Sequence, residues 1–281
     1  MMHREKKSII CPRCRKLINR DERECPYCGL RYPDSLWQSL FRLKIFYHPV
    51  DAIKALIIVN VVFYLFTIII DPQAIGLSSN PLTFLSPSSG SLFLVGATGT
   101  IPIGQFHRWW TLVSASYLHG GILHIFFNMA ALWQLGPFVA HEYGLSRFFT
   151  IYTLGGIVGF LVSHLAGVPF TIGASASLCG LIGATLFYGK SRGGFYGNAI
   201  FRQVMGWIMG LGIFGFLVPG INNWAHGGGI LAGIIGGFLL GYTERRRESG
   251  TDRLLGLICV LLTAGVLAWA VIQSILFIFT S

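Results

Sequence analysis

The sequence predicts an all-α polytopic membrane protein, a bundle of six helices plus a seventh C-terminal helix, with a small cysteine-bearing module at the N-terminus. Three observations carry that reading. Hydrophobic residues make up 53% of the chain and charged ones 11%, at a mean hydropathy of +0.63, too little polar side chain to coat a soluble globule. Apolar runs long enough to span a bilayer, about 17 to 25 residues, recur near 53–70, 121–139, 147–168, 173–189, 199–218, 224–242 and 254–279. The basic residues fall in alternate connections between those runs.

Residues 1–54 carry 12 of the 21 Lys and Arg, and Arg147, Lys190, Arg192, Arg202, Arg245, Arg246, Arg247 and Arg253 lie between alternate spans; only Arg108 falls on the other side. Lys and Arg near spans are retained in the cytoplasm. The N-terminus is therefore expected inside and the C-terminus outside, with a bacterial cytoplasmic membrane as the setting. Spans two, four and six then run inward from the outer face. The first 50 residues are polar and basic, unlike a short apolar signal, so the mature chain is expected to begin at Met1.

Residues 11–28, "CPRCRKLINRDERECPYC", hold two C-x2-C knuckles. Four thiolates at this spacing, Cys11, Cys14, Cys25 and Cys28, suit a tetrahedral structural zinc, and the glycine after Cys28 permits a tight knuckle turn. Paired disulfides are the alternative, which a reducing cytoplasm disfavours. So short a stretch has no core of its own, and zinc would supply its folding energy. It resembles a zinc ribbon, an interaction module, which implies a cytoplasmic protein partner. Residues 1–54 carry 12 basic and 6 acidic residues, an excess that positive-inside retention explains more cheaply than nucleic acid or anionic lipid.

Beyond the knuckles, "SLWQSLFRLKIFY" sets Leu36, Leu40, Leu43 and Tyr47 at helical spacing beside Trp37 and Phe41. That pattern predicts an amphipathic helix on the inner leaflet. Residues 71–108 carry only Asp71 and Arg108 as charges and are broken by Pro and Gly. They are too apolar for a free loop, and are expected to lie partly embedded on the outer face. Trp109 and Trp110 read as aromatic interface anchors, and His164 as an interfacial histidine.

Polar side chains inside spans are costly and usually functional. Span two holds His124 and Asn128 four residues apart, hence on one helix face, with His119 just before. Span four has Ser175 in its first turn, and span six has His226 in its first turn. All three helices begin at the outer face, so these side chains can meet at similar depth. Small residues support the meeting: Gly229, Gly233 and Gly237 on span six and Ala176, Gly180 and Ala184 on span four recur every four residues, a pattern that lets helix backbones approach closely. Packing alone also accounts for such glycines, but it leaves His226 unexplained.

The chemistry suggested is nucleophilic: His226 takes the proton of Ser175, whose hydroxyl is a weak nucleophile unaided. No acidic residue lies in spans two, four or six to orient the imidazole, so a dyad is expected. His124, Asn128 and the Ser175 backbone N–H would then donate to the oxyanion. Other chemistries fail on their residues. "HEYGL" lacks the second histidine of a zinc protease, no pair of aspartates lies within spans, and "GASAS" has Ser177 where the hydrolase elbow needs glycine. Catalysis therefore needs no cofactor. Cys179 and Cys259 read as packing residues.

"LHGGILHIFFNMAALWQLG", "GASASLCGLIGA" and "AHGGGILAG", in that order on spans two, four and six, resemble the rhomboid intramembrane serine proteases. The resemblance covers roughly residues 53–243, with the seventh helix as an addition some members carry. It implies a rhomboid-like bundle, Ser175 as nucleophile, His226 as base and His124 with Asn128 in the oxyanion site. It also implies that the substrates are transmembrane proteins in the lipid bilayer, cut near the outer surface. Two positions depart from the family pattern: Ala176 replaces a glycine, and Cys179 replaces an aromatic that packs under the histidine. Ser177 stands where alanine is common, and about 100° per residue turns it roughly 200° from Ser175. The domain boundaries read as 1–32 for the ribbon, 33–52 for an amphipathic linker, 53–243 for the protease core and 244–281 for a cytoplasmic loop and the seventh helix. The rival function is a non-proteolytic rhomboid-like protein that binds transmembrane helices.

Overall fold

The computed structural model describes residues 8–11, 16–34, 49–77 and 83–280, in two compact units, Met1–Ala52 and Ile53–Ser281. Cys14 and the amphipathic segment from Leu36 to Tyr47 lie outside the described residues. In the first unit, strands β1 (Ser8–Ile10) and β2 (Leu17–Asn19) pair antiparallel with Ile9 opposite Ile18. Its small core gathers Cys11, Ile18 and Cys25. The knuckle after Cys25 closes when the Gly29 N–H donates to the Cys25 carbonyl, with Gly29 at a φ of +68°.

Seven helices of 18 residues or more are described in the chain: α1 (Pro49–Ile70), α2 (Ile122–Tyr143), α3 (Leu145–Leu165), α4 (Ser175–Arg192), α5 (Gly194–Leu217), α6 (Asn223–Leu240) and α7 (Gly250–Thr280). Each matches one of the seven apolar runs. Five are long and apolar enough to cross a membrane by length and composition, and α4 and α6 are not among them. The reason is visible in their residues: both are short and rich in glycine and alanine, with Ser, Asn or His in the first turn. They are the helices packed most extensively against each other, enclosed by α3 and carrying the polar side chains.

Their contact is backbone on backbone. A Cβ on Gly233 of α6 would overlap the carbonyl oxygen of Gly180 on α4, and one on Gly229 would overlap the carbonyl of Ala176. At the same Gly180, a Cβ on Gly155 of α3 would stand 2.8 Å from the Gly180 Cα. The four-residue spacing of small residues thus lets α3, α4 and α6 pack without side chains between them.

The described residues between 71 and 108 form folded structure. Strands β3 (Gly76–Leu77) and β4 (Phe84–Ser86) pair antiparallel, and a short helix follows at Ser89–Val95, capped by Ser88 accepting from the Ser91 N–H. Arg108 donates to the carbonyls of Phe93 and Leu94 and lies over the Phe93 and Trp110 rings. The Trp110 ring occupies the space that a Cβ on Gly96 would need. Trp110 is therefore a packing residue rather than an interface anchor, because Arg108 and Gly96 fix it from both sides. Trp109 is half exposed and meets His164 edge-on at 5.7 Å between ring centroids.

Arg147, read from the sequence as a loop charge, is completely buried. It donates to the carbonyls of Gly241, Arg246 and Arg247 and to Asp252 Oδ2 at 2.9 Å. Glu248 accepts from the Ser146 and Arg147 N–H groups at the start of α3. Asp252 and Ser249 also cap α7 reciprocally, the Ser249 hydroxyl accepting from the Asp252 N–H and the Asp252 carboxylate from the Ser249 N–H. This explains why α7 begins four residues before its apolar run. The run starts only where the polar cap ends.

Packing at the α4–α6 contact can be tested with a single methyl group. Gly233→Ala should destabilise the protein by about 1–3 kcal/mol through overpacking, whereas Gly206→Ala on α5, where nothing lies within 4 Å of the new Cβ, should be neutral or slightly stabilising. Thermal or denaturant unfolding in detergent reads both, and equal effects would contradict the packing account.

Candidate functional site

Ser175 and His226 meet at the shared ends of α4 and α6, with Ser175 Oγ 2.9 Å from His226 Nε2. Each stands in the first turn of its helix. For the hydroxyl to donate, Nε2 must be unprotonated, which puts the proton of a neutral ring on Nδ1. His226 Nδ1 is buried and has no hydrogen-bond partner among the described residues. Among the described residues, no carboxylate bonds to the ring.

His124 lies beside this pair, and its contacts set its own tautomer. Its Nδ1 accepts from the Gly120 N–H at 3.3 Å, so the proton of the neutral ring is on Nε2, which becomes a donor. A Cβ built on Gly173 would lie 2.7 Å from His124 Nε2 and 3.7 Å from Ser175 Oγ, so Gly173 is where the chain passes between them. Glycine is required there twice over, by that close approach and by a φ of +124°. Asn128 is buried on the same face of α2 and donates one amide hydrogen to the His124 carbonyl at 2.8 Å. His119, fully buried, meets the His124 ring edge-on at 5.1 Å.

The first N–H groups of a helix have no carbonyl within it to donate to, and no side chain caps α4. The Ser175 backbone N–H therefore stands beside its own hydroxyl as a third donor. Ser177 faces elsewhere: its hydroxyl donates to Ser116 Oγ at 3.2 Å and sits against Gly156 of α3, fully buried. Cys179 is buried under the α6 turn, its Cβ 3.0 Å from a Cβ built on Gly229. That contact is too close for a larger residue at 229. Both Cys179 and Cys259 are buried free thiols.

In the first unit, the sulfurs of Cys11, Cys25 and Cys28 all lie within 4.8 Å of one another, and Cys11 and Cys28 are 3.6 Å apart. Tetrahedral zinc with Zn–S bonds of about 2.3 Å separates its sulfurs by roughly 3.8 Å. The cluster fits a metal ion held by thiolates.

The chain's comparison with known proteins bears on the membrane unit. Residues 107–243 match the family model described as a rhomboid domain. Those residues are a rhomboid domain. It is 36% identical over 162 residues to RHOMBOID-like protein 5 of Arabidopsis thaliana, covering 56% of this chain and 52% of that protein. It is 35% identical over 157 residues to the rhomboid protease GluP of Bacillus subtilis, covering 56% of this chain and 31% of that protein. RHOMBOID-like protein 6, mitochondrial, of Arabidopsis thaliana is 32% identical over 181 residues, 58% of its length. The chain thus spans from about a third to somewhat over half of the length of these curated relatives. The rhomboid domain and the five apolar helices make it a membrane protein.

Sequence reading missed Asn222 and Thr171. Asn222 is the N-cap of α6, its side chain accepting from the Ala225 N–H. The signal was available, since Asn immediately before an apolar helical run marks a helix start. Thr171 carried no such signal. It becomes visible only through the bridge it makes to Thr98.

Proposed function

We propose that this rhomboid is an intramembrane serine endopeptidase that hydrolyses peptide bonds of transmembrane protein substrates near the outer membrane surface. The observation that carries the reading is the 2.9 Å contact between Ser175 Oγ and His226 Nε2, with the His124 donor and the Ser175 N–H beside it. In this reading His226 accepts the Ser175 proton as Oγ attacks the carbonyl carbon. The charge that develops on the carbonyl oxygen is met by the Ser175 N–H, His124 Nε2–H and the free amide hydrogen of Asn128. Donors placed before the reaction cost no reorganisation at the transition state. The protonated His226 then releases its proton to the leaving amine, and a water activated by the same imidazole resolves the acyl-enzyme. The family likeness and the protease named among the relatives support this activity.

Orientation belongs to the same proposal. With the basic connections in the cytoplasm, the first turns of α4 and α6 face the outer side, from which water reaches the bond to be cleaved. The sequence departures at Ala176 and Cys179 do not disturb the pair, because Ala176 keeps the small side chain that the α4–α6 contact needs. A transmembrane-helix binder without protease activity would have no use for a serine hydroxyl 2.9 Å from an imidazole nitrogen.

Cys11, Cys25 and Cys28, with Cys14 as the fourth thiolate, would hold a structural zinc. Four thiolates would leave no open position for water, so such a metal would stabilise the module and take no part in catalysis. The boundaries 1–32, 33–52, 53–243 and 244–281 follow as functional divisions, with the ribbon serving a cytoplasmic protein partner.

Two experiments test these assignments. Purified protein should cleave a model transmembrane substrate, and Ser175→Ala and His226→Ala should each lower the rate by about three orders of magnitude or more, while Ser177→Ala cleaves normally. Cleavage that survives Ser175→Ala and disappears in Ser177→Ala would overturn the nucleophile. Metal analysis of the purified chain should find about one zinc per molecule, lost in Cys25→Ser with cleavage in detergent nearly unchanged. Zinc-free wild type, or activity restored by zinc after chelation, would contradict the structural role.

A further inference from the structure

No hydrogen bond among the described residues orients the buried His226 ring from behind, since its Nδ1 has no such partner there. Its position is therefore inherited from the first turn of α6. Asn222 fixes that turn: its side-chain oxygen accepts from the Ala225 N–H at 3.0 Å, and its backbone carbonyl accepts from the His226 N–H at 3.2 Å. The amide nitrogen of the same side chain donates to Ser163 Oγ at 2.6 Å and to Thr171 Oγ1 at 2.9 Å. Ser163 is in the last turn of α3 and fully buried.

Thr171 is itself tied down. Its backbone N–H and carbonyl both pair with Thr98, at 2.7 and 3.0 Å, and two residues later the Gly173 N–H donates to the Ala115 carbonyl at 2.8 Å. Ser175 follows Thr171 by four residues, as His226 follows Asn222 by four. The Asn222–Thr171 hydrogen bond therefore joins the segment that delivers the serine to the helix that delivers the histidine.

We propose that Asn222 is the positioning residue of the Ser175–His226 pair, setting their separation by bonding the two segments that carry them; the inference rests on the protease reading above. An asparagine is suited to this because it supplies one acceptor for the cap and two donors for two hydroxyls. Serine can cap the helix but is too short and has too few donors to reach Ser163 and Thr171 as well. Aspartate keeps the shape, and the two hydroxyls can turn to donate to it. It also places a negative charge one helical turn from His226, which favours the protonated imidazole.

The test measures the rate at which a fluorophosphonate labels Ser175, alongside kcat, KM and thermal stability in detergent, for wild type, Asn222→Ser, Thr171→Val and Asn222→Asp. Asn222→Ser should lower the labelling rate and kcat by about tenfold or more, the size expected for a small misplacement of reacting groups, with KM and the unfolding midpoint nearly unchanged. Thr171→Val should act in the same direction. Asn222→Asp should recover labelling, with the acid limb of its pH profile moved to higher pH. Asn222→Ser labelled at the wild-type rate, or Asn222→Asp labelled with an unmoved pH profile, would overturn the assignment. Wild type that takes no label at Ser175 would instead contradict the protease reading, and the assignment with it.

Discussion

The structure depends on the close approach of α4 and α6, where Gly229 and Gly233 leave room for the carbonyls of Ala176 and Gly180. A hydroxyl and an imidazole have short reach, so the backbones carrying Ser175 and His226 must come nearly into contact for their side chains to meet at 2.9 Å. Larger side chains at the seam would separate the helices, and no rotamer could restore the contact. This constraint also explains why α4 and α6 are the long helices that fall short of a membrane span by length and composition. Their glycine and alanine, chosen for closeness, contribute little hydropathy. The other helices enclose them.

Closeness alone sets neither depth nor orientation, and the two ends of the bundle solve those problems differently. At the end carrying the pair, backbone bonds fix the segment from Thr98 through Thr171 to Gly173, and Asn222 joins it to α6. At the end where α3 begins, the fully buried Arg147 satisfies a series of carbonyls and Asp252, joining the start of α3 to the connection before α7. A buried guanidinium is tolerated because nearly all its donors are used; losing one partner would leave a charge uncompensated. Gln273 on α7 donates to the Leu94 carbonyl, so the seventh helix touches the same short segment that Arg108 holds.

Much of this was legible in the sequence. Hydropathy marked seven runs, and each became a helix. Four-residue spacing of small side chains marked the α4–α6 seam, and the placement of Ser175 and His226 in first turns marked the juxtaposition. The rest was hidden for physical reasons. Arg147 looks like any cytoplasmic charge, because its partners are backbone carbonyls about a hundred residues away, which leave no trace in composition. The segment 71–108 shows no periodicity, since its described residues form only two short strands and one short helix beside Arg108 and Trp110. Asn222 was readable as a helix cap, whereas its bonds to Ser163 and Thr171 exist only in three dimensions.

In the proposed reaction His226 accepts a proton while His124 offers one. The direct measurement is nitrogen-15 NMR of the histidine side chains in the folded protein, assigned with His226→Ala and His124→Ala variants. At a pH where both rings are neutral, His226 should carry its proton on Nδ1, the form that can accept from Ser175 Oγ, and His124 on Nε2, as its contact to the Gly120 N–H requires. A protonated Nε2 on neutral His226 would contradict the account.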